Sequence, residues 1–278
     1  GFREESQCVS RVAYDEKVYR VSSASSTFRE ITQVGLECLG DIGNVQLGEV
    51  ALLAQKSLKL ISERSMLAIS HMDITEAFLL DISSLKARKE ALSYLEKRNI
   101  SAMDKLVSDY PECSEAIMKL GSLMKLNGSN KETLSSLRAM GAEEKAVEEL
   151  EEIVSILDEE KVRIDFSVLG GMNYYNGITF RGYIYGVPGP VVSGGQYDRL
   201  MARMGKKAKA IGFAVYLDSL EKLLEETEEY DVDVALVYSE DCSMLDVIKT
   251  AEEIRESGRS VSTMKKLPQK LKSRETVF

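Results

Sequence analysis

The stretch from Leu169 to Leu220 leaves this chain few folds to choose from. It reads Leu169-Gly-Gly-Met-Asn-Tyr-Tyr-Asn-Gly-Ile-Thr-Phe180, then Ser193-Gly-Gly-Gln-Tyr-Asp-Arg-Leu200, then Ala210-Ile-Gly-Phe-Ala-Val-Tyr-Leu217. From Ile178 to Tyr185, Ile178, Phe180, Gly182 and Ile184 alternate with Thr179, Arg181, Tyr183 and Tyr185, the two-residue period of a strand with distinct faces. The Gly186-Val-Pro-Gly-Pro190 cluster ends that strand in a turn. Gly194-Gly195 and Gly212 let backbone come close to whatever lies opposite. The pattern predicts an antiparallel sheet whose inner face carries tyrosines and small residues, the floor of a pocket.

The remaining segments dress that sheet. From Lys17 to Gly40, Phe28, Thr32, Val34, Leu36 and Cys38 alternate with polar partners behind a Ser-rich loop, which predicts strand, loop, strand. Leu47, Val50, Ala51, Ala54, Leu58 and Ile61 fall on one helical face, so this helix packs on the sheet. Ser65 to Ser70 is a short strand ending at His71, the single histidine. A lone histidine after a strand is more often structural or exposed than catalytic, and no Ser-His-Asp, Cys-His or metal-ligand set can be built around it. From about Asp81 to Glu160 the chain turns charged and leucine-rich, with breaks at Pro111 and Asn127-Gly128. Leu85, Leu92, Leu95, Leu106, Ile117, Leu120, Leu123, Leu134, Leu137, Val147, Leu150, Val154 and Leu157 recur there at helical spacing, as in a small bundle capping the core. Ile164 to Val168 is expected as a strand and Leu220 to Glu228 as a helix. Beyond Asp231, a strand over 232–238, a helix over 244–257 and a strand over 260–264 form a βαβ fragment. The basic tail Lys265-Lys-Leu-Pro-Gln-Lys-Leu-Lys-Ser-Arg274 is expected as a solvated end.

Composition removes several function classes. No apolar run approaches the roughly 18 to 20 residues that span a bilayer, so no membrane association is expected. Cys8, Cys38, Cys113 and Cys242 form no close pair and sit among apolar or helical neighbours. They are expected as buried free thiols in a reducing cytoplasm, with no metal site. A formal net charge of -9 gives no help to nonspecific nucleic-acid binding, which rests on phosphate neutralisation.

In this order and spacing, the three glycine-bearing motifs resemble the catalytic core of the class II histidyl-tRNA synthetase family. That family's pattern is Arg-Gly-Leu-Asp-Tyr-Tyr-Thr-Gly, then Gly-Gly-Arg-Tyr-Asp, then Gly-Phe-Ala followed by Glu-Arg-Leu. Gly170 stands where the pattern has its arginine, and Asp218-Ser219 where it has Glu-Arg. Arg29, Gln33, Gly35 and Glu37 fall on half of the family's second class II motif, but Val21-Ser22 replaces its nucleotide-gripping Glu-Arg pair. The opening Gly1-Phe-Arg-Glu-Glu-Ser6 is similar to the family's Leu-Arg-Pro-Asp/Glu approach to the active site, which places Glu5 opposite the substrate's amino group. The family's first motif would precede it, so a longer native chain is expected. The resemblance implies an α+β fold, a class II aminoacyl-tRNA synthetase-like antiparallel sheet flanked by helices. Residues 1–80 and 163–229 would be the two parts of the core, 81–162 a helical insertion, and 230–278 part of an anticodon-binding-like α/β domain.

Carried over residue by residue, the family's histidine pocket falls on Glu5, Gln33, Glu37, Tyr174, Tyr175 and Tyr197. Carboxylates hold an ammonium, and a phenol with a carboxylate pairs two imidazole nitrogens. The alternative is that these are ordinary sheet tyrosines and surface carboxylates. The nucleotide half is broken: Ser22, Gly170 and Ser219 stand where phosphate-binding arginines belong. Three lost charge-assisted contacts amount to roughly 5 to 9 kcal/mol, enough to make adenylate formation negligible. A kept amino-acid pocket without activation chemistry resembles the non-catalytic branch of the family, the regulatory subunits of ATP phosphoribosyltransferase. That resemblance implies a short-form catalytic subunit as partner, self-association as a dimer, histidine as effector, no cofactor and no tRNA. Two alternatives stay open: a divergent class II ligase with Arg20 or Arg181 as substitute phosphate ligands, and a scaffold with a degenerate pocket.

Overall fold

The computed structural model describes residues 8–21, 28–169, 174–220 and 230–278, which divide into two compact units, 1–220 and 221–278. The larger unit is built on a seven-stranded sheet. Its strands are β1 (Ser10–Val21), β2 (Phe28–Gly40), β3 (Ser65–His71), β4 (Val162–Ile164), β5 (Asn176–Ile184), β6 (Val192–Gln196) and β7 (Lys209–Tyr216), in the spatial order β1-β2-β7-β6-β5-β3-β4. Every pairing is antiparallel except that of β3 with β4. The three strands drawn from the glycine-bearing motifs or their flanks therefore sit together at the centre, beside β2.

The two-residue period gives this sheet two unlike faces. Cys38, Ile211, Phe213, Val192, Phe180, Leu67 and Ile69 are buried on one of them. Helix α1 (Asn44–Ile61) covers that face, with Leu47, Val50, Ala51, Ala54 and Leu58 turned inward as the helical spacing predicts. Gly182 allows the closest approach: a Cβ there would lie 2.4 Å from a Leu58 methyl. The opposite face carries Gln33, Gly35 and Glu37 on β2, Gly212, Ala214 and Tyr216 on β7, and Ser193 and Gly195 on β6.

Six helices run between β3 and β4: α2 (Met72–Leu80), α3 (Leu85–Glu96), α4 (Ile100–Asp109), α5 (Ser114–Ser122), α6 (Asn130–Ala139) and α7 (Glu144–Ser155). Leu95, Leu106, Ile117, Leu120, Leu137, Val147 and Leu150 are buried among them, whereas Leu85 is exposed at the first position of α3. Ser129 and Glu132 cap α6 reciprocally. The next residue, Asn130, donates to the carbonyl of Val162 and accepts from the amide of Ile164, which pins the edge strand β4. His71 is buried at the start of α2 with Nε2 3.3 Å from Glu149 on α7, a structural placement.

Three expectations are corrected. Residues 165–168 do not continue as strand, because the Asp165 carboxylate accepts from the amide and hydroxyl of Ser167 and folds the chain into an Asx-type turn. Cys8 and Cys242 are exposed, lying outside the regular elements, while Cys38 and Cys113 are buried; all four are free. In the smaller unit, β8 (Val232–Val237), α8 (Met244–Glu256) and β9 (Val261–Met264) form the expected βαβ fragment. The basic tail is not wholly a solvated end, since Ser273–Val277 is a strand, β10, that pairs parallel to β8 on its other side. Its charged residues are compatible with an edge strand, where Arg259 pairs with Glu275 at 2.9 Å. The helix expected over 220–228 lies almost wholly outside the described residues.

Candidate ligand-binding site

The site is assembled on the face of the sheet that α1 does not cover. Gln33 and Glu37 point to the same side because they are four residues apart on β2, with Gly35 between them. Gly35 pairs with Tyr14 on β1 and Ala214 on β7. A Cβ on Gly35 would lie 2.3 Å from Cζ of Tyr14, so glycine is what lets this ring cross the strand. The Gln33 side-chain amide then donates to the Tyr14 hydroxyl at 3.4 Å. Gly212 plays the same part opposite Glu37, where a Cβ would fall 1.8 Å from the carboxylate.

The aromatic part comes from the first two glycine-bearing motifs. Tyr197 follows β6 directly, its backbone amide donates a hydrogen bond to the Ala210 carbonyl, and its hydroxyl donates to Glu37 Oε2 at 2.5 Å. The Tyr174 ring lies 5.7 Å from that of Tyr197, and the Tyr175 ring meets Tyr174 edge-on at 4.6 Å. Gly195 makes room for Tyr175, whose ring carbon would be 2.9 Å from a Cβ there. The gradient of exposure runs across the group: Tyr197 is 8% exposed and Tyr174 43%. Gln33, Glu37, Tyr174, Tyr175 and Tyr197 are thus gathered on one surface; Glu5 lies outside the described residues.

The electrostatics follow from partial burial. Burial raises the Glu37 carboxyl above its ordinary range, while the Tyr197 hydrogen bond pulls it back in part. Burial also raises Tyr197, and the hydrogen bond and charge of Glu37 raise it further, so this phenol stays protonated as a donor. Tyr175 is raised by burial first and then by the neighbouring Tyr174, Tyr216 and Glu37, against a lowering hydrogen bond with Ser193. Gln33 Oε1 is buried without a hydrogen-bond partner among the described residues. An unpaired amide oxygen and a carboxylate on one strand face form an acceptor set for a small cationic donor, beside a wall of phenol rings.

Of the residues considered for nucleotide chemistry, Asp218 and Arg181 are engaged within the fold. Ser22 and Gly170 are outside the described residues, as is the Arg20 side chain. Asp218 Oδ1 accepts the amide of Thr32 at 3.1 Å, just beyond the last paired residues of β2 and β7. Arg181 donates to the carbonyl of Leu169 at 2.9 Å and faces Glu96 at 3.9 Å. Sequence reasoning missed Tyr14, Ser193 and Tyr216. Only the strand register brings them to the site, and a glycine at position 35 of a strand otherwise rich in larger residues is the signal that something bulky crosses there.

A family model described as histidyl-tRNA synthetase matches residues 3–220. An ATP phosphoribosyltransferase regulatory subunit from Bacillus cereus (strain ATCC 10987 / NRS 248) is 27% identical over 231 residues, which is 79% of this chain. The chain spans 55% of that relative's length. Among solved structures, an ATP phosphoribosyltransferase regulatory subunit/histidyl-tRNA synthetase from Bacillus halodurans superposes with a TM-score of 0.69 at 24% identity, over 96% of this chain and 72% of that one. A chain of an ATP phosphoribosyl transferase (HisG:HisZ) complex from Thermotoga maritima shares the fold at a TM-score of 0.62 and 21% identity, over 76% of this chain and 74% of that one. The match over residues 3–220 takes in the whole seven-stranded sheet, and the chain belongs to the histidyl-tRNA synthetase family.

Proposed function

We propose that this protein is a non-catalytic regulatory subunit of ATP phosphoribosyltransferase in histidine biosynthesis, and that its pocket takes free histidine as an effector. The observation that carries the reading is the buried Gln33 Oε1, unpaired among the described residues, on the same face of β2 as the Glu37 carboxylate that accepts from Tyr197. The α-ammonium of an amino acid offers donors to an amide oxygen and a countercharge to a carboxylate, and the phenols supply a surface for a ring. Ser22, Gly170 and Ser219, standing where arginines would neutralise phosphates, favour binding without activation. The name carried by the Bacillus cereus relative supports the same assignment. In this reading the subunit works in the cytoplasm as a dimer, assembles with a short catalytic subunit, and transmits histidine occupancy as a coupling free energy between two arrangements of the assembly.

Calorimetric titration with histidine, with and without ATP, tests the pocket. Histidine binding indifferent to ATP is expected, with no exchange of pyrophosphate into ATP. The match to a histidyl-tRNA synthetase family model favours one competing reading, a divergent ligase. Histidine-dependent pyrophosphate exchange would establish that reading and exclude the regulatory one.

A further inference from the structure

The corner between α3 and α4 holds the only non-glycine residue with a positive φ among those described, Arg98 at +50°. The corner closes as a Schellman turn: the amide of Asn99 reaches the Tyr94 carbonyl at 2.9 Å and that of Arg98 reaches Leu95 at 3.1 Å. Glycine is the residue such a position ordinarily takes, because a Cβ is disfavoured in the left-handed region. The arginine side chain has a use that glycine would lack. Its Nε donates to Ser167 Oγ at 3.0 Å, and Nη2 lies 2.6 Å from Asp165 Oδ1. The same carboxylate oxygen accepts from the amide and hydroxyl of Ser167, so one guanidinium organises the whole turn over 165–167. Two residues on, the carbonyl of Leu169 is held from the sheet by Arg181. Tyr174 and Tyr175 follow within six residues along the chain.

We infer that Arg98 is a positioning residue for the candidate pocket: it clamps the Asp165–Ser167 turn to the helical segment and thereby sets where the chain delivers Tyr174 and Tyr175. A side chain kept in a disfavoured backbone conformation, with the Nε–Nη2 edge of its guanidinium engaged by two residues of one turn, is over-determined by its surroundings in the way functional positions are. The helical segment and the tyrosine wall are then one mechanical unit, and movement of α3 against the sheet would be felt at the pocket. The choice of histidine as probe rests on the proposed function; the clamp itself does not.

Arg98→Gly separates the two roles, since glycine suits the left-handed corner while removing the guanidinium. Hydrogen exchange measured without ligand is expected to quicken about tenfold in peptides covering 165–177, with the α3–α4 corner and the melting temperature unchanged. Histidine affinity should fall by about the same factor, and Arg98→Lys should recover part of both. Unchanged exchange over 165–177 in Arg98→Gly overturns the clamp. Quickened exchange with unaltered histidine affinity overturns its role in positioning. If the unsubstituted protein binds no histidine, the proposed effector is wrong, and the exchange measurement alone decides whether Arg98 sets the segment leading to the tyrosines.

Discussion

The two faces of the seven-stranded sheet are made from the same strands and obey opposite rules. On the face under α1, alternate residues are apolar and fully buried, as with Phe180, Leu67, Ile69 and Cys38. On the other, the intervening positions are glycine, glutamine, glutamate and serine, and larger side chains reach across the small ones. Burial of apolar area holds the first face together. The second holds a half-buried carboxylate above its ordinary pKa and an amide oxygen without a partner among the described residues, features that weaken a fold on their own. Stability and binding are thus divided by the period of the strand, and adjacent residues along β5 or β2 serve different ends.

The sharpest way to break that division is from the covered side. Phe180→Ala removes a fully buried ring that packs 6.5 Å from Phe213, and should cost about 3 to 5 kcal/mol of stability. A fall in melting temperature of roughly 6 to 20 °C is expected. Histidine affinity measured well below the transition should stay within about twofold. A matching loss of affinity would mean that the faces are not independent.

Glu37→Gln tests the open side, with the opposite signature. Loss of a charged acceptor should weaken histidine binding by about 10- to 150-fold. Stability at neutral pH should hold or rise, for a reason that follows from sign. Glu37 binds its proton more tightly folded than unfolded, so its favourable contribution is complete in acid and is lost as pH climbs from the ordinary carboxylate range through the raised one. Denaturant titrations at pH 4.5 and 7.5 should therefore show the difference between Glu37→Gln and the parent protein shifting in favour of the variant at the higher pH. A variant that is destabilised more at pH 7.5 than at pH 4.5 contradicts the assignment.

How much of this was legible beforehand depends on the range of the interactions. Gln33, Gly35 and Glu37 could be placed on one face from their spacing alone, and the glycine pairs foretold close strand approach. Tyr14 could not be found that way, because its place over Gly35 depends on the register of β1 against β2. The turn over Asp165–Ser167 passed for strand because Ile164, Phe166 and Val168 alternate with polar residues, and the deciding contacts are side-chain hydrogen bonds within the turn and with the arginine of a distant helix corner. β10 was hidden for a related reason: five residues with two charges carry little alternation, and it is the vacant edge of β8 that makes them a strand. The covered face was the more readable because burial imposes periodicity, whereas the open face is ordered by contacts between residues far apart in sequence.

The smallest predicted effect tests whether the open face works as a coupled set. In Tyr197→Phe the ring and its packing against Tyr174 stay, and only the hydroxyl that donates to Glu37 is lost. A net cost of about 1 kcal/mol corresponds to roughly fivefold weaker histidine binding at neutral pH. The pH dependence carries more information than the magnitude. That hydrogen bond lowers the Glu37 carboxyl against the effect of burial, so removing it should raise this group further. Binding that needs the ionised carboxylate would then fade at a higher pH in the variant than in the parent protein as the solution is acidified. Calorimetric titrations across pH 5 to 8 would show the midpoint moving upward. An unmoved midpoint would mean that Tyr197 shapes the pocket without tuning the charge of Glu37.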